Sequence, residues 1–341
     1  MIRFKSLSLI GASFVFVIIT VLPGCFREKA FHKKVVKVKE VLSLEGPKGE
    51  GSKLFFRLMD IAVDRQGNMY VADAGASKIY KLDQEGNLLL CFGRYGQGPG
   101  DLSNSFMDIA ISDNGYIFVV DVNNNRINKF SKNGQFVTSC MKSPALQVAI
   151  SSLGDVYVCP GKQGYILDKF DSNLNYIGSI INDKTLRSNV KLPKSILFCL
   201  DEKTNCIYIL NNEKSVIYKY KSTGKFLSKW TVNNPHFTQN LEKRIKRLRE
   251  EARVYGVGAG GLLPFADMRI DSDGNLCLMY IYEYGIGDIG GVVYRYRPDG
   301  TYLDRVEGFG KTFGPFDIDN NGNYYCCSLV ESRIKKYQLE R

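Results

Sequence analysis

One pattern is written six times in this chain. An apolar run, a polar turn and a second apolar run recur at LMDIAVDRQGNMYVAD, FMDIAISDNGYIFVVD and ADMRIDSDGNLCLMY, with looser copies from residues 145, 195 and 315. Such units cannot bury an apolar face alone; each needs neighbours of its own kind. Each full copy holds four short runs rich in Val, Ile, Tyr and Phe, which suit pleated surfaces. Turn residues part runs one and two at Gly67, Gly115, Gly154, Asn205, Gly274 and Gly322. A second set parts runs three and four at Gly86, Gly134, Asn175, Gly224 and Gly300. Gly and Asn tolerate the positive φ of tight hairpins. A four-stranded unit of about 40–50 residues reads as a propeller blade.

The sixth copy lacks its fourth run. VVKVKEVLSLEG, residues 35–46, has the character of that missing strand. The expected fold is therefore all-β: a six-bladed β-propeller over 35–341, closed by pairing its first strand with its last segment. That closure removes two open sheet edges. Residues 233–264 interrupt the array. Phe237, Leu241, Ile245, Leu248 and Ala252 recur at helical spacing, which predicts an amphipathic helix and then a Gly-rich loop between blades four and five.

IAVDRQGNMYVADAGASKIYKLDQEGNLLLCFGRYGQGPGDL and IAISDNGYIFVVDVNNNRINKFSKNGQFV resemble NHL repeats. The resemblance covers most of residues 36–341 and implies a six-bladed propeller of the kind found in bacterial lipoproteins. It implies little about chemistry, because propellers host both enzymes and binding modules.

The N-terminus is a separate module. A basic head with Arg3 and Lys5, an apolar stretch over Leu7–Leu22, and Leu22-Pro23-Gly24-Cys25 describe an export signal. The last four residues resemble the lipobox of bacterial lipoproteins, which implies a signal peptide over 1–24, a lipidated Cys25 and a tether over 25–34. Phe26 rather than Asp follows the lipid site, which favours the outer membrane. The eight remaining cysteines mostly sit in apolar runs and show no CxxC pair, so core thiols are expected rather than disulfides. The net charge is +11. Nucleic acid is a poor partner for an exported chain, whatever its charge, and a monomer is expected.

Propeller geometry turns scattered residues into candidate sites. Asp60, Asp108 and Asp267 hold one place in their repeats, beside strand one, and Gln147 holds it in the third copy. They are expected at the channel mouth, where carboxylates hold a divalent cation such as calcium or magnesium, or simply cap turns. On the same face the loops between strands two and three offer Asp73, Asp121, Arg126 and Arg333, and rim aromatics include Tyr95 and Tyr282. DIDNNG at 317–322 matches the start of a calcium loop, but Ser328 stands where a bidentate Glu belongs. Only His32 and His236 exist, both outside the array, which excludes a multi-histidine zinc site within it. Two functions follow. The first is a membrane-tethered module that binds a protein, peptide or glycan through its loop face. The alternative is a divalent-metal hydrolase like the lactonases among six-bladed relatives.

Overall fold

The computed structural model describes residues 34–49, 54–105, 107–141, 145–160, 167–181, 196–234, 237, 263–283, 289–312, 314–328 and 331–340. Residues Lys34–Arg341 form one compact unit. The expected signal peptide, Cys25 and nearly all of the expected helix lie outside the described residues.

Strand β1 covers Val35–Leu44. The first repeat forms β2–β5 (Leu58–Val63, Met69–Asp73, Lys78–Leu82, Leu88–Phe92), and the second forms β6–β9 (Met107–Ile111, Ile117–Asp121, Arg126–Phe130, Phe136–Met141). The third forms β10–β13 (Ala145–Ile150, Val156–Pro160, Leu167–Phe170, Tyr176–Ile181), and the fourth forms β14–β17 (Ile196–Asp201, Cys206–Asn211, Val216–Lys221, Phe226–Thr231). The fifth forms β18–β21 (Phe265–Ile270, Leu276–Glu283, Ile289–Tyr296, Tyr302–Glu307), and the last forms β22–β24 (Phe316–Ile318, Tyr324–Ser328, Arg333–Leu339). The first four repeats are each a four-stranded sheet in sequence order; the remaining strands join as one eight-stranded sheet, β18-β19-β20-β21-β1-β24-β23-β22.

β1 is the joint of that large sheet. Val38–Leu44 pairs antiparallel with β24, with Val38 opposite Leu339 and Leu44 opposite Ile334. This is the expected closure of the N-terminal strand on the C-terminal segment. Its first residues, Val35–Lys37, also run parallel to Arg305–Glu307 of β21, a contact the repeat pattern does not reveal.

The first strands meet in cyclic order: β2 touches β6, β6 touches β10, then β14, β18 and β22, which returns to β2. The second strands are consequently flanked on both sides. β3, β7, β15 and β23 are buried along their whole length, whereas the outer β17 is exposed over most of its own. A hydrophobic cluster fills each gap between consecutive units. Tyr70, Ala72, Ile109 and Val119 lie between the first and second, and Tyr325, Cys327, Ile61 and Val71 between the last and first. Cys326 and Cys327 enter different clusters, as alternation along a strand requires. All eight described cysteines are free thiols, and six of them are buried.

A cross-strand pair recurs that the repeat pattern alone does not suggest. Tyr70–Lys81, Phe118–Lys129, Tyr157–Lys169, Tyr208–Lys219 and Tyr325–Lys336 are register partners between second and third strands. Each ammonium lies 5.0–5.7 Å from its ring centroid, within cation–π range. The fifth unit replaces the pair with Cys277 and Arg295, and Arg295 takes a bidentate grip on Asp304, at 2.7 Å on each side.

The turns follow the sequence with one correction. In the third repeat the left-handed residue is Leu174, at φ 64°, rather than Asn175. Leu174 stands three residues after Asp171, as Gly86 does after Asp83. The Asp171 carboxylate accepts the Asn173 and Asn175 amides and the Asn175 side chain, the bonding that Asp83 makes around Gly86.

Candidate functional site

The inner edge of each first strand presents backbone N–H groups to the channel, where no further strand can pair with them. Buried donors of this kind need acceptors. Asp60 accepts the Ile109 N–H at 2.9 Å, Asp108 accepts Val148 at 2.7 Å, and Asp267 accepts Phe316 at 3.2 Å. Gln147 uses both ends of its amide, accepting Phe198 N–H at 3.0 Å and donating to the Phe198 carbonyl at 3.2 Å. Asp317 completes the series by accepting Val63 N–H at 2.8 Å. Each bond runs from one unit to the next, and the Asp317 bond returns from the last unit to the first. Sequence reading set Asp317 in a calcium-like turn, although Phe316-Asp317-Ile318 matches the Met-Asp-Ile of the first two repeats. That match was the available signal.

Arg269, two residues beyond Asp267, extends into this ring. Its Nη1 lies 2.7 Å from Asp267, its Nη2 3.6 Å from Asp60 and its Nε 3.8 Å from Asp317. Burial works against its charge. Asp267, Asp60, Asp317 and Asp108 together outweigh that effect and raise its pKa. Burial also lifts the Asp317 carboxyl to about 6 despite Arg269, and raises Asp108 well above the carboxylate range, with Asp60 adding like-charge repulsion. The ring is thus an acidic cluster already built around its own cation. Among the described residues no group of three or more His, Cys, Asp or Glu side chains is arranged to hold a metal ion.

The loop-face candidates divide in two. Asp73 is fully buried and accepts the amides of Phe56, Arg57 and Ala76. Asp121, also fully buried, accepts Ser103 N–H and the Asn124 amide. Arg126 lies 3.8 Å from Asp121 and donates to the carbonyls of Gln97, Gly98 and Asp101 at 3.0, 2.9 and 2.7 Å. These three residues fasten the loops that they border. Arg333, in contrast, is partly exposed and pairs with Glu45. Tyr282 packs against the core, whereas Tyr95 is 73% exposed. Phe237, first residue of the expected helical stripe, is buried and stacks on Phe265 at 5.3 Å.

In the calcium-like stretch the two aspartates do different work. Asp317 faces Arg269, while Asp319 accepts the amides of Asn321 and Asn323 and the Tyr325 hydroxyl. The same turn bonding recurs at Asp64, Asp83 and Asp271.

No protein-family model and no curated protein sequence matches the chain. Solved structures do resemble it. A protein described as exported, from Bacteroides fragilis, is 10% identical over 90% of this chain and 100% of its own, with a TM-score of 0.57. Virginiamycin B lyase from Staphylococcus aureus is 10% identical over 89% of this chain and 100% of its own, with a TM-score of 0.54. A gluconolactonase from Xanthomonas campestris is 12% identical over 83% and 86%, with a TM-score of 0.54. At such identities the likeness shows the fold alone: this chain is a β-propeller.

Proposed function

We propose that the chain is a six-bladed, NHL-type propeller that works outside the cytoplasm as a binding module rather than as a catalyst. The eight-stranded sheet is read as two blades bridged by β1, which with the four separate sheets makes six. Residues 1–24 act as the export signal, Cys25 carries lipid, and 25–34 tether the propeller to the outer membrane. The exported propeller from Bacteroides fragilis supports an envelope location. The partner, a protein, peptide or glycan, engages the loop face, and the propeller acts as a monomer.

The observation that carries this reading is Arg269. A metal-dependent propeller hydrolase needs ionised ligands around the channel with room for a cation. Here the carboxylates of Asp60, Asp108, Asp267 and Asp317 each hold a neighbouring blade's amide or surround the guanidinium. That arrangement does not fit a calcium or magnesium ion, whose oxygen ligands would have to displace Arg269. The gluconolactonase likeness supplies the rival reading.

Metal analysis of the purified full chain, together with a lactone hydrolysis assay, tests the choice. The binding-module reading predicts substoichiometric metal and no turnover. Stoichiometric metal that disappears in an Asp60→Ala/Asp267→Ala variant, along with turnover, establishes the hydrolase instead. Mass spectrometry of Cys25 in a native envelope fraction tests the anchor separately.

A further inference from the structure

Apart from Val41 and Leu153, the large apolar side chains left in water fall into two sets. One set repeats. Leu88-Leu89, Phe136-Val137, Tyr176-Ile177 and Phe226-Leu227 open four outer strands. Each of these strands shifts register against its partner at that point. Such bulges blunt a sheet edge against an added strand.

The other set does not repeat. Leu54, Phe56 and Tyr95 are 65%, 64% and 73% exposed. They belong to two loop-face segments, 54–57 and 94–105, which Arg57 links by donating to the Asn104 carbonyl. Both segments have a fixed backbone. Asp73 holds the Phe56 and Arg57 amides, and the Ser332 hydroxyl donates to the Phe56 carbonyl. Arg126 grips three carbonyls of the second segment, Asn124 donates to a fourth at Gly96, and Asp101 accepts Gly98 N–H. A rigid frame that holds rings out into water lowers the ordering cost of binding. Arginines flank the rings. The Arg94 side chain is 79% exposed and meets Asp101 through Nε, and Arg57 is also exposed. Neither guanidinium has all five of its donors engaged by these contacts.

Resting on the binding-module reading above, we propose that this patch docks an acidic polysaccharide. Tyr95 and Phe56 stack on sugar faces, and Arg57 and Arg94 pair with the ring carboxylates, for which a planar guanidinium is suited. A 290 Å³ cavity among the described residues lies elsewhere, among hairpin-turn residues such as Arg65, Asn114 and Lys132.

The full chain in detergent, titrated with polygalacturonate, alginate and chondroitin sulfate, tests the proposal. Fully methyl-esterified polygalacturonate serves as the neutral control. Binding to at least one acidic polymer is expected, weakening as salt rises and absent with the neutral control. Tyr95→Ala and Arg94→Gln should each weaken it at least about tenfold with unchanged thermal unfolding, and Leu153→Ser, at a distant exposed turn, should not. Equal binding to the neutral polymer, indifference to both patch variants, or no binding across the panel overturns the proposal. An acidic peptide bound instead would overturn it while leaving the binding module standing. Metal-dependent lactone turnover would remove the module reading itself.

Discussion

Arg126 shows how much one side chain can fix. Three carbonyls of the 94–101 loop converge on its guanidinium, and the residue is only 8% exposed. Arg126→Ala is predicted to cost about 2–3 kcal/mol, the value of charged hydrogen bonds whose partners stay behind. Faster amide hydrogen exchange should be confined largely to that loop. Arg126→Lys should not rescue it, since one ammonium cannot reproduce the fork. Asp317 makes a prediction of the opposite kind. Its folded pKa, about 6, lies above the ordinary 3.8. The protonated form therefore favours the fold. Its stabilising contribution is complete below about pH 4 and is lost as pH rises through 6. Asp317→Asn keeps an acceptor for Val63 N–H and cannot ionise. The variant should match wild type near pH 4 and exceed it by on the order of 2 kcal/mol at pH 8 in denaturant unfolding. A constant difference across that range would refute the assignment.

At the level of the element, the recurrent contact is between a hairpin turn and the end of the preceding unit's outer strand. A Cβ on Gly86 would meet Leu44, one on Gly134 would meet Phe92, and one on Gly300 would meet Trp230. At Gly224 the obstacle is backbone, with the Ile180 carbonyl 2.0 Å from the Cβ position. Gly224→Ala is predicted to lose about 3 kcal/mol or more, combining left-handed strain with a clash that cannot rotate away. Gly274→Ala has the same φ class and open space, so it should lose only about 1–2 kcal/mol. Equal losses in chemical denaturation would show that the packing contact contributes nothing. These turns were legible in the chain because Gly and Asn mark them; Leu174 was not, since leucine carries no turn signal and Asn175 stands beside it. The partnership of β1 with β24 was legible too, because a repeat short of one strand needs that strand from elsewhere. Its parallel contact with β21 leaves no periodic trace.

For the whole molecule, what the sequence could not reveal is convergence. Asp60, Asp108 and Asp267 stand out by their places in the repeats, yet nothing in a linear pattern says that one arginine neutralises residues from several units. Arg269 occupies a position held by Ala62 and Ala110 in other repeats, so its meaning depends on the closed ring. The same closure hides the loop-face residues that matter most for contact. Asp73 and Asp121 look like ligand groups in sequence but are consumed by the backbone, whereas Phe56 passed unnoticed because its exposure depends on how 54–57 is fastened. The deciding property of the molecule is therefore whether the channel carries its own cation. Thermal unfolding of wild type and Arg269→Met, each with and without saturating calcium, addresses this most directly. The variant should be destabilised by about 3–5 kcal/mol, as expected for a buried charge cluster that has lost its partner. Calcium should restore much of that loss by binding the freed carboxylates, and wild type should not respond. A wild-type protein stabilised by calcium as strongly as the variant would contradict the account.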